Sequence, residues 1–247
     1  MEALIYKKEF TVQHIHLDGL GRIKPSVMLH FIMRTISAQC TQLGVSWDDI
    51  RPLGLIWVVG RSRLQVIRAP RLDEKVIIET WPMPATRSAF PRAAVAKNDK
   101  GEVLYRCTTL WALVNMTTRK LVLPEGSGVN VPGYVSGDEL PVPNSFAAAP
   151  LGQIDQRRVC FSELDLNGHM NNTKYLDWVN DLLPSSYHKD HIFRDVTICY
   201  LSEALEGQTL TLSLNHLEDG SLQVDGLRSE TNDLDKKNRV FSVKVTF

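Results

Sequence analysis

The sequence predicts an α+β protein built from two tandem copies of one unit, each an antiparallel sheet wrapped around a long central helix. Three observations carry this. The order strand, Asp/Gly turn, helix and run of strands occurs twice along the 247 residues. A Pro- and Gly-rich stretch separates the two occurrences. The first helix is apolar nearly all round, a pattern that requires cover on every side.

In the first copy, residues 10–17 are strand-like, with His14 and His16 alternating on one face, and a turn with Asp18, Gly19 and Gly21 follows. Pro25 opens a helix, where a missing N–H costs nothing. Met28, Leu29, Ile32, Ile36 and Cys40 recur at three- and four-residue spacing, and Phe31, Met33 and Ala38 widen the stripe. After Gly44 the pattern becomes strand-like over 55–59, 61–67, 76–81, 90–97 and 103–114, divided by turn signals such as Asn98-Asp99-Lys100-Gly101. Trp57, Trp81 and Trp111 fall in these strands, as core side chains do.

Prolines at 124, 132, 141, 143 and 150 and glycines at 126, 128, 133, 137 and 152 forbid a core helix or central strand. The organisation expected is therefore an N-terminal unit over 1–123, a linker over 124–152 and a C-terminal unit over 153–247. In that last unit a strand over 156–161 precedes a turn with Asp165 and Gly168, and a helix spans about 172–183 before Pro184 stops it. Strands follow over about 193–200, 208–217, 223–230 and 239–247, with Asp219-Gly220 as a hairpin signal. A shift of 147 lays Asp18 on Asp165, Gly21 on Gly168, Leu29 on Leu176 and Phe31 on Trp178; a shift of 134 lays 72–76 on 206–210. One sheet around one buried helix is the plan of a hotdog unit, so the chain is expected to be a double hotdog.

Composition excludes several functions. The 28 basic and 28 acidic residues cancel, which removes the generic electrostatic case for nucleic acid or an anionic membrane. No run of 18 apolar residues offers a membrane-spanning helix, so no membrane insertion is expected. The N-terminal residues resemble neither a secretory signal nor a transit peptide, and the expected compartment is a bacterial-type cytoplasm. Cys40, Cys107, Cys160 and Cys199 lack CxxC spacing and are expected as reduced, buried thiols. His188 and His191 form an HxxH pair with no third ligand, which suits a solvated loop; no metal is expected.

Chemistry concentrates in Leu164-Asp165-Leu166-Asn167-Gly168-His169-Met170-Asn171-Asn172-Thr173-Lys174-Tyr175, where strand gives way to helix. Unpaired amides at a helix N-terminus would stabilise an oxyanion developing on a carbonyl. The same residues also suit a plain turn: Asn-Gly is a turn dipeptide, Asp165 braces it, and Asn171 or Asn172 caps the helix. Comparison of the copies favours function. Leu20 stands opposite Asn167, Arg22 opposite His169 and Ala69 opposite Glu203, so the turn occurs twice but these polar side chains occur once.

At these residues the chain resembles the plant and bacterial acyl-acyl-carrier-protein thioesterases. Leu55-Ile56-Trp57-Val58-Val59-Gly60-Arg61 is similar to a strand of that family. Gly101-Glu102-Val103-Leu104, Trp111 and Asn115 through Thr118-Arg119-Lys120-Leu121 follow in the family's order. Residues 165–175 resemble its Asp-x-Asn-x-His-x-Asn-Asn-x-Lys-Tyr motif. The resemblance implies a double hotdog that hydrolyses fatty acyl chains from acyl carrier protein, with Asp165, Asn167, His169 and Glu203 as catalytic set. It implies no cofactor, because the substrate carries its own phosphopantetheine. Plant members have Cys after the glutamate; here Ala204 stands there, which favours attack by water over a cysteine nucleophile.

Met28, Phe31, Ile32 and Thr35 on the first helix are the expected acyl-chain lining, because that copy lacks the polar set. An acidic carrier protein calls for a local positive surface. Candidates are Arg61, Arg63, Arg68 and Arg71 in the first copy and Arg157, Arg158 and Lys174 in the second. Two other functions stay open: a hotdog hydratase or dehydratase acting on β-hydroxyacyl thioesters, and a non-catalytic acyl-thioester sensor. Acyl chain length and assembly, including a homodimer, are left open by the sequence.

Overall fold

The computed structural model describes residues 4–228 and 238–247. It divides into two compact units, one ending at Pro143 and the other beginning at Asn144.

The first unit runs β1 (Tyr6–Thr11), α1 (Pro25–Gln42), α2 (Trp47–Ile50), β2 (Leu55–Val66), β3 (Lys75–Pro82), β4 (Phe90–Lys97), β5 (Val103–Asn115) and β6 (Leu121–Val122). Five antiparallel strands lie in the order β1-β3-β4-β5-β2, and β6 pairs with the end of β5. The helix α1 buries Met28, Leu29, Phe31, Ile32, Thr35 and Ile36. Phe31 stacks on Phe10 of β1 with ring centroids 4.4 Å apart. The predicted strands 55–59 and 61–67 are one strand with a bulge at Gly60, where the register to β5 slips by one.

The second unit runs β7 (Gln153–Arg158), α3 (Lys174–Asp181), α4 (Ser185–Asp190), β8 (Asp195–Tyr200), β9 (Thr209–His216), β10 (Leu222–Arg228) and β11 (Arg239–Thr246). Its antiparallel order is β7-β9-β10-β11-β8, the first unit's order repeated. Of the predicted strand over 223–230, Ser229 and Glu230 lie outside the described residues.

Five sequence expectations change. The first-copy strand ends at Thr11, and His14–His16 form a single 3-10 turn, not an alternating strand face. His16 Nδ1 accepts the Gln13 N–H at 3.0 Å, which fixes that turn. The helix over 172–183 starts late and continues as a second piece. Asn171 Oδ1 accepts both the N–H and the hydroxyl of Thr173, holding the chain in a turn until Lys174. Pro184 lacks an N–H to continue the ladder, so α3 ends and α4 restarts. His188 and His191 therefore sit on or beside a helix: His191 stacks on Tyr187 at 3.8 Å, and His188 Nε2 lies 2.8 Å from the Asn180 carbonyl oxygen.

The segment over 124–152 has no helix or strand, yet it is no free linker. Residues up to 143 lie on the first sheet, with Thr108 Oγ1 donating to the Leu140 carbonyl and Trp81 Nε1 to Glu139. Residues from 144 onward lie on the second, where Gln223 donates to the Ala147 carbonyl and the Ala149 N–H donates to Asp225. A proline-rich chain with few N–H donors is held by side chains reaching its carbonyls. The thiols also divide: Cys107 and Cys199 are buried, but Cys160 is exposed, because β7 ends two residues before it.

Candidate active site

The site is built on the second unit, on the loop between β7 and α3. A 3-10 turn over Phe161–Glu163 precedes a tight turn closed by a bridge between Leu164 and Met170. Asp165 organises this turn through its own backbone and side chain. Its N–H donates to the His169 carbonyl at 2.7 Å, and its Oδ1 accepts the amides of Asn167 at 2.8 Å and His169 at 3.2 Å. Gly168 sits at φ +76°, a left-handed conformation that a side chain would strain.

The turn is then docked edge-on to the segment after β8. The Met170 N–H donates to the Ala204 carbonyl at 2.9 Å, and His169 bridges to Leu205. This backbone pairing sets the central contact: His169 Nε2 lies 3.4 Å from Glu203 Oε2. The imidazole is 25% and the carboxylate 41% exposed, so the pair is open to a ligand. Arg228, at the end of β10, donates to Ser202 Oγ at 2.7 Å and to the Glu203 carbonyl at 3.2 Å, holding the glutamate's backbone.

The structure therefore brings His169 and Glu203 together and places Asn167 on the same turn, exposed, while the Asp165 carboxylate is engaged by amides. Two of the expected helix N-terminal donors are taken. The Thr173 amide is taken by Asn171 Oδ1 and the Lys174 amide by the Asn171 carbonyl. The amides of 167, 168, 169, 170 and 171 are likewise occupied. Asn167 is itself exposed on this turn, and its carboxamide is a further donor there.

Three further residues contribute, two of them outside the motif. Glu163 braces the loop: its carboxylate accepts the Cys160 N–H and, at 2.6 Å, the Trp178 indole, while its carbonyl accepts the Asn171 N–H. Tyr175 is buried, and burial followed by the nearby Asp165 carboxylate pushes its hydroxyl well above the usual tyrosine range, with Arg228 opposing. Arg228 is the third. The register of the repeat does point to Glu163, since it falls opposite His16, whose ring brackets the equivalent loop in the first unit.

The remaining candidates are placed as follows. Met28, Phe31, Ile32 and Thr35 are buried on α1. Arg61 donates to the Pro143 carbonyl, Arg63 is engaged, and Arg68 is paired with Glu74, so of that group Arg71 is exposed. In the second unit Arg157 pairs with Asp181 and Lys174 with Asp177, while Arg158 is exposed. Among the described residues no group of three or more His, Cys, Asp or Glu side chains could hold a metal ion. Ala204 is buried, and no helix of the described residues is long and apolar enough to cross a membrane.

Residues 3–125 match the profile of the acyl-ACP thioesterase N-terminal domain, and residues 151–241 that of the C-terminal domain. The chain belongs to the acyl-ACP thioesterase family. Similar members of the family include the chloroplastic dodecanoyl-[acyl-carrier-protein] hydrolase of Cinnamomum camphora, 31% identical over 89% of this chain and 61% of that protein. The chloroplastic palmitoyl-acyl carrier protein thioesterase of Gossypium hirsutum is 24% identical over 82% of this chain and 52% of that protein. The chain thus spans between half and two-thirds of these curated relatives. Among solved structures, an acyl-ACP thioesterase from Bacteroides thetaiotaomicron superposes with TM-score 0.88 at 20% identity, covering 100% of this chain and 98% of the other. The 12:0-ACP thioesterase from Umbellularia californica gives 0.80 at 20% identity, over 98% and 96%. That likeness fixes the fold of this acyl-ACP thioesterase family member as the double hotdog foreseen from the repeat.

Proposed function

We propose that this chain hydrolyses fatty acyl thioesters carried on acyl carrier protein and releases the free acid. The observation that carries the reading is the His169–Glu203 pair at 3.4 Å, aligned by backbone pairing and open to solvent. Glu203 acts as general base on a water molecule. The hydroxide equivalent attacks the thioester carbonyl, and the Asn167 carboxamide donates to the developing oxyanion. His169 shares the proton with Glu203 and delivers it to the departing phosphopantetheine thiolate, so the water's two hydrogens end on the acid and the thiol. Asp165 holds Asn167 and His169 in place through their amides. The glutamate has no neighbouring cysteine nucleophile in this scheme, since Ala204 follows it and Cys199 is buried in β8.

Acyl and β-hydroxyacyl carrier-protein thioesters, offered in parallel, test this. Free thiol with free fatty acid is the expected product. Glu203→Gln and His169→Ala should each lower kcat by about 10²–10⁴, the usual contribution of a positioned acid–base group. An enoyl thioester, or wild-type turnover in a folded Glu203→Gln protein, overturns the assignment.

A further inference from the structure

Glu203 lies on the loop between β8 and β9, and the first unit has the same loop between β2 and β3 with Ala69 in place of the base. A shift of 134 lays residues 67–74 on 201–208, and the two loops share a hydrogen-bond pattern. The amides of Ile67 and Arg68 both donate to the Leu104 carbonyl, as those of Leu201 and Ser202 both donate to the Val240 carbonyl. The Glu74 side chain accepts the Arg71 N–H at 2.8 Å, as Gln208 Oε1 accepts the Leu205 N–H at 2.9 Å. In each loop an arginine donates both to that side chain and to one backbone carbonyl, that of Ala69 in the first unit and of Glu203 in the second.

The two arginines differ in origin and in what they grip. Arg68 comes from the loop itself, where the second unit has Ser202, and Arg228 reaches in from the end of β10. Arg68 meets the Glu74 carboxylate at 2.5 and 2.9 Å and the Ala69 carbonyl only at 3.3 Å. Arg228 shows the reverse order, with 2.7 Å to Ser202 Oγ, 3.2 Å to the Glu203 carbonyl and 3.4 Å to Gln208 Oε1. The acceptor accounts for the reversal. A carboxylate fixes a guanidinium in a two-pronged ion pair, whereas the amide of Gln208 offers one oxygen and no opposite charge. The guanidinium therefore grips the loop at the base itself.

We propose that Arg228 is a positioning residue for the general base, aligning Glu203 with His169, and that the neutral Gln208 leaves the guanidinium to that task. The inference rests on the hydrolase reading above. It predicts opposite outcomes for one exchange made in the two units, read as Tm and as kcat and KM with acyl carrier protein substrate. Gln208→Glu draws the guanidinium back to position 208. It should hold or raise Tm yet lower kcat by about tenfold or more, since a shift of about 1 Å in a reacting group costs about 10² in rate. Glu74→Gln should lower Tm and leave kcat near wild type. Arg228→Met should lower kcat by about 10² with KM little changed, and Arg228→Lys should recover part of the loss. If Arg228→Met fails to fold, Gln208→Glu, which keeps the arginine, decides. Because Arg228 acts through the glutamate, Arg228→Met should lower kcat no further in a Glu203→Gln background. Wild-type kcat in both Gln208→Glu and Arg228→Met, a further fall in that background, or an equal fall in Glu74→Gln overturns the proposal. A wild type that releases no fatty acid overturns the hydrolase reading and this role with it, whereas an active wild type with unaffected variants overturns this role alone.

Discussion

The duplicated turn supplies its own control for the role of Asp165. Asp165 Oδ1 accepts two amides at 2.8 and 3.2 Å, and Asp18 Oδ1 accepts the amides of Leu20 and Arg22 at 2.8 and 2.9 Å. Alanine at either position removes two hydrogen bonds of matching geometry. At about 1 kcal/mol each, both variants should lose about 2 kcal/mol, or roughly 4–8 °C in Tm. Their activities should separate. In Asp165→Ala the freed amides belong to Asn167 and His169, and a shift of about 1 Å in a reacting group costs about 10² in rate. In Asp18→Ala the freed turn carries Leu20 and Arg22, so kcat should stay near wild type. Asp165→Asn keeps an Oδ1 acceptor and should recover most of both losses. The measurements are thermal melts and kcat with acyl carrier protein substrate for the three variants. Equal damage from Asp165→Asn and Asp165→Ala would refute a bracing role, because it would mean that the carboxylate's charge takes part in the chemistry.

Further outcomes follow from other contacts. Arg68, hydrogen-bonded to Glu74 through both nitrogens, holds that carboxyl down to about 2. A depressed folded-state value stabilises above the unfolded value near 4.3 and is lost as pH falls towards 2. Glu74→Gln should therefore cost about 1–2 kcal/mol at pH 6, an amount reduced by screening because Arg68 is one-third exposed, and the gap should close in melts near pH 2.5. Gly226 lies under the Phe241 ring, where an added Cβ would stand 2.1 Å from a ring carbon, so Gly226→Ala should destabilise by at least about 1–3 kcal/mol in a denaturant titration. Arg158 is exposed beside the site's own strand, and Arg158→Glu should raise KM for acyl carrier protein substrates while kcat changes little; added salt should do the same to wild type, since such attraction is screened over about 8 Å.

Much of this architecture is legible from residue patterns, for definite reasons. The shared turn needs Asp at its first position and Gly at its left-handed position, so Asp18/Asp165 and Gly21/Gly168 mark both copies however far the rest drifts. The apolar stripe of α1 reports burial directly. What the sequence hides is where local polar groups overrule a longer pattern. Asn171 delays α3 by capturing Thr173, and beyond the stop foreseen at Pro184 the chain restarts as the short helix α4. The strand over 10–17 fails because His16 turns its ring back onto the Gln13 amide. The 124–152 segment is illegible for a different cause: it is held by side chains of strands distant in sequence, Thr108 and Gln223 among them. Within the site, the motif names His169 and Asn167. The braces Glu163 and Arg228 act through ordinary hydrogen bonds that no spacing rule announces.

The two units together separate scaffold from chemistry. Each has a 3-10 turn whose third residue reaches back to the amide three positions earlier, through His16 Nδ1 in one and the Glu163 carboxylate in the other. Each then has the Asp–Gly turn with the same two amides on one carboxylate oxygen. In each, the carbonyl of the bracing residue accepts an amide eight residues on, Lys24 or Asn171. These bonds form without any catalytic partner in the first unit, so the fold alone accounts for them. Asn167, His169 and Glu203 are different. Their counterparts Leu20, Arg22 and Ala69 sit on the same framework, so folding does not demand those polar groups. A polar group that the framework does not need, placed 3.4 Å from a complementary one and open to solvent, is what the proposed hydrolysis calls for. That is why the functional assignment rests on the difference between the copies and the structural one on their agreement.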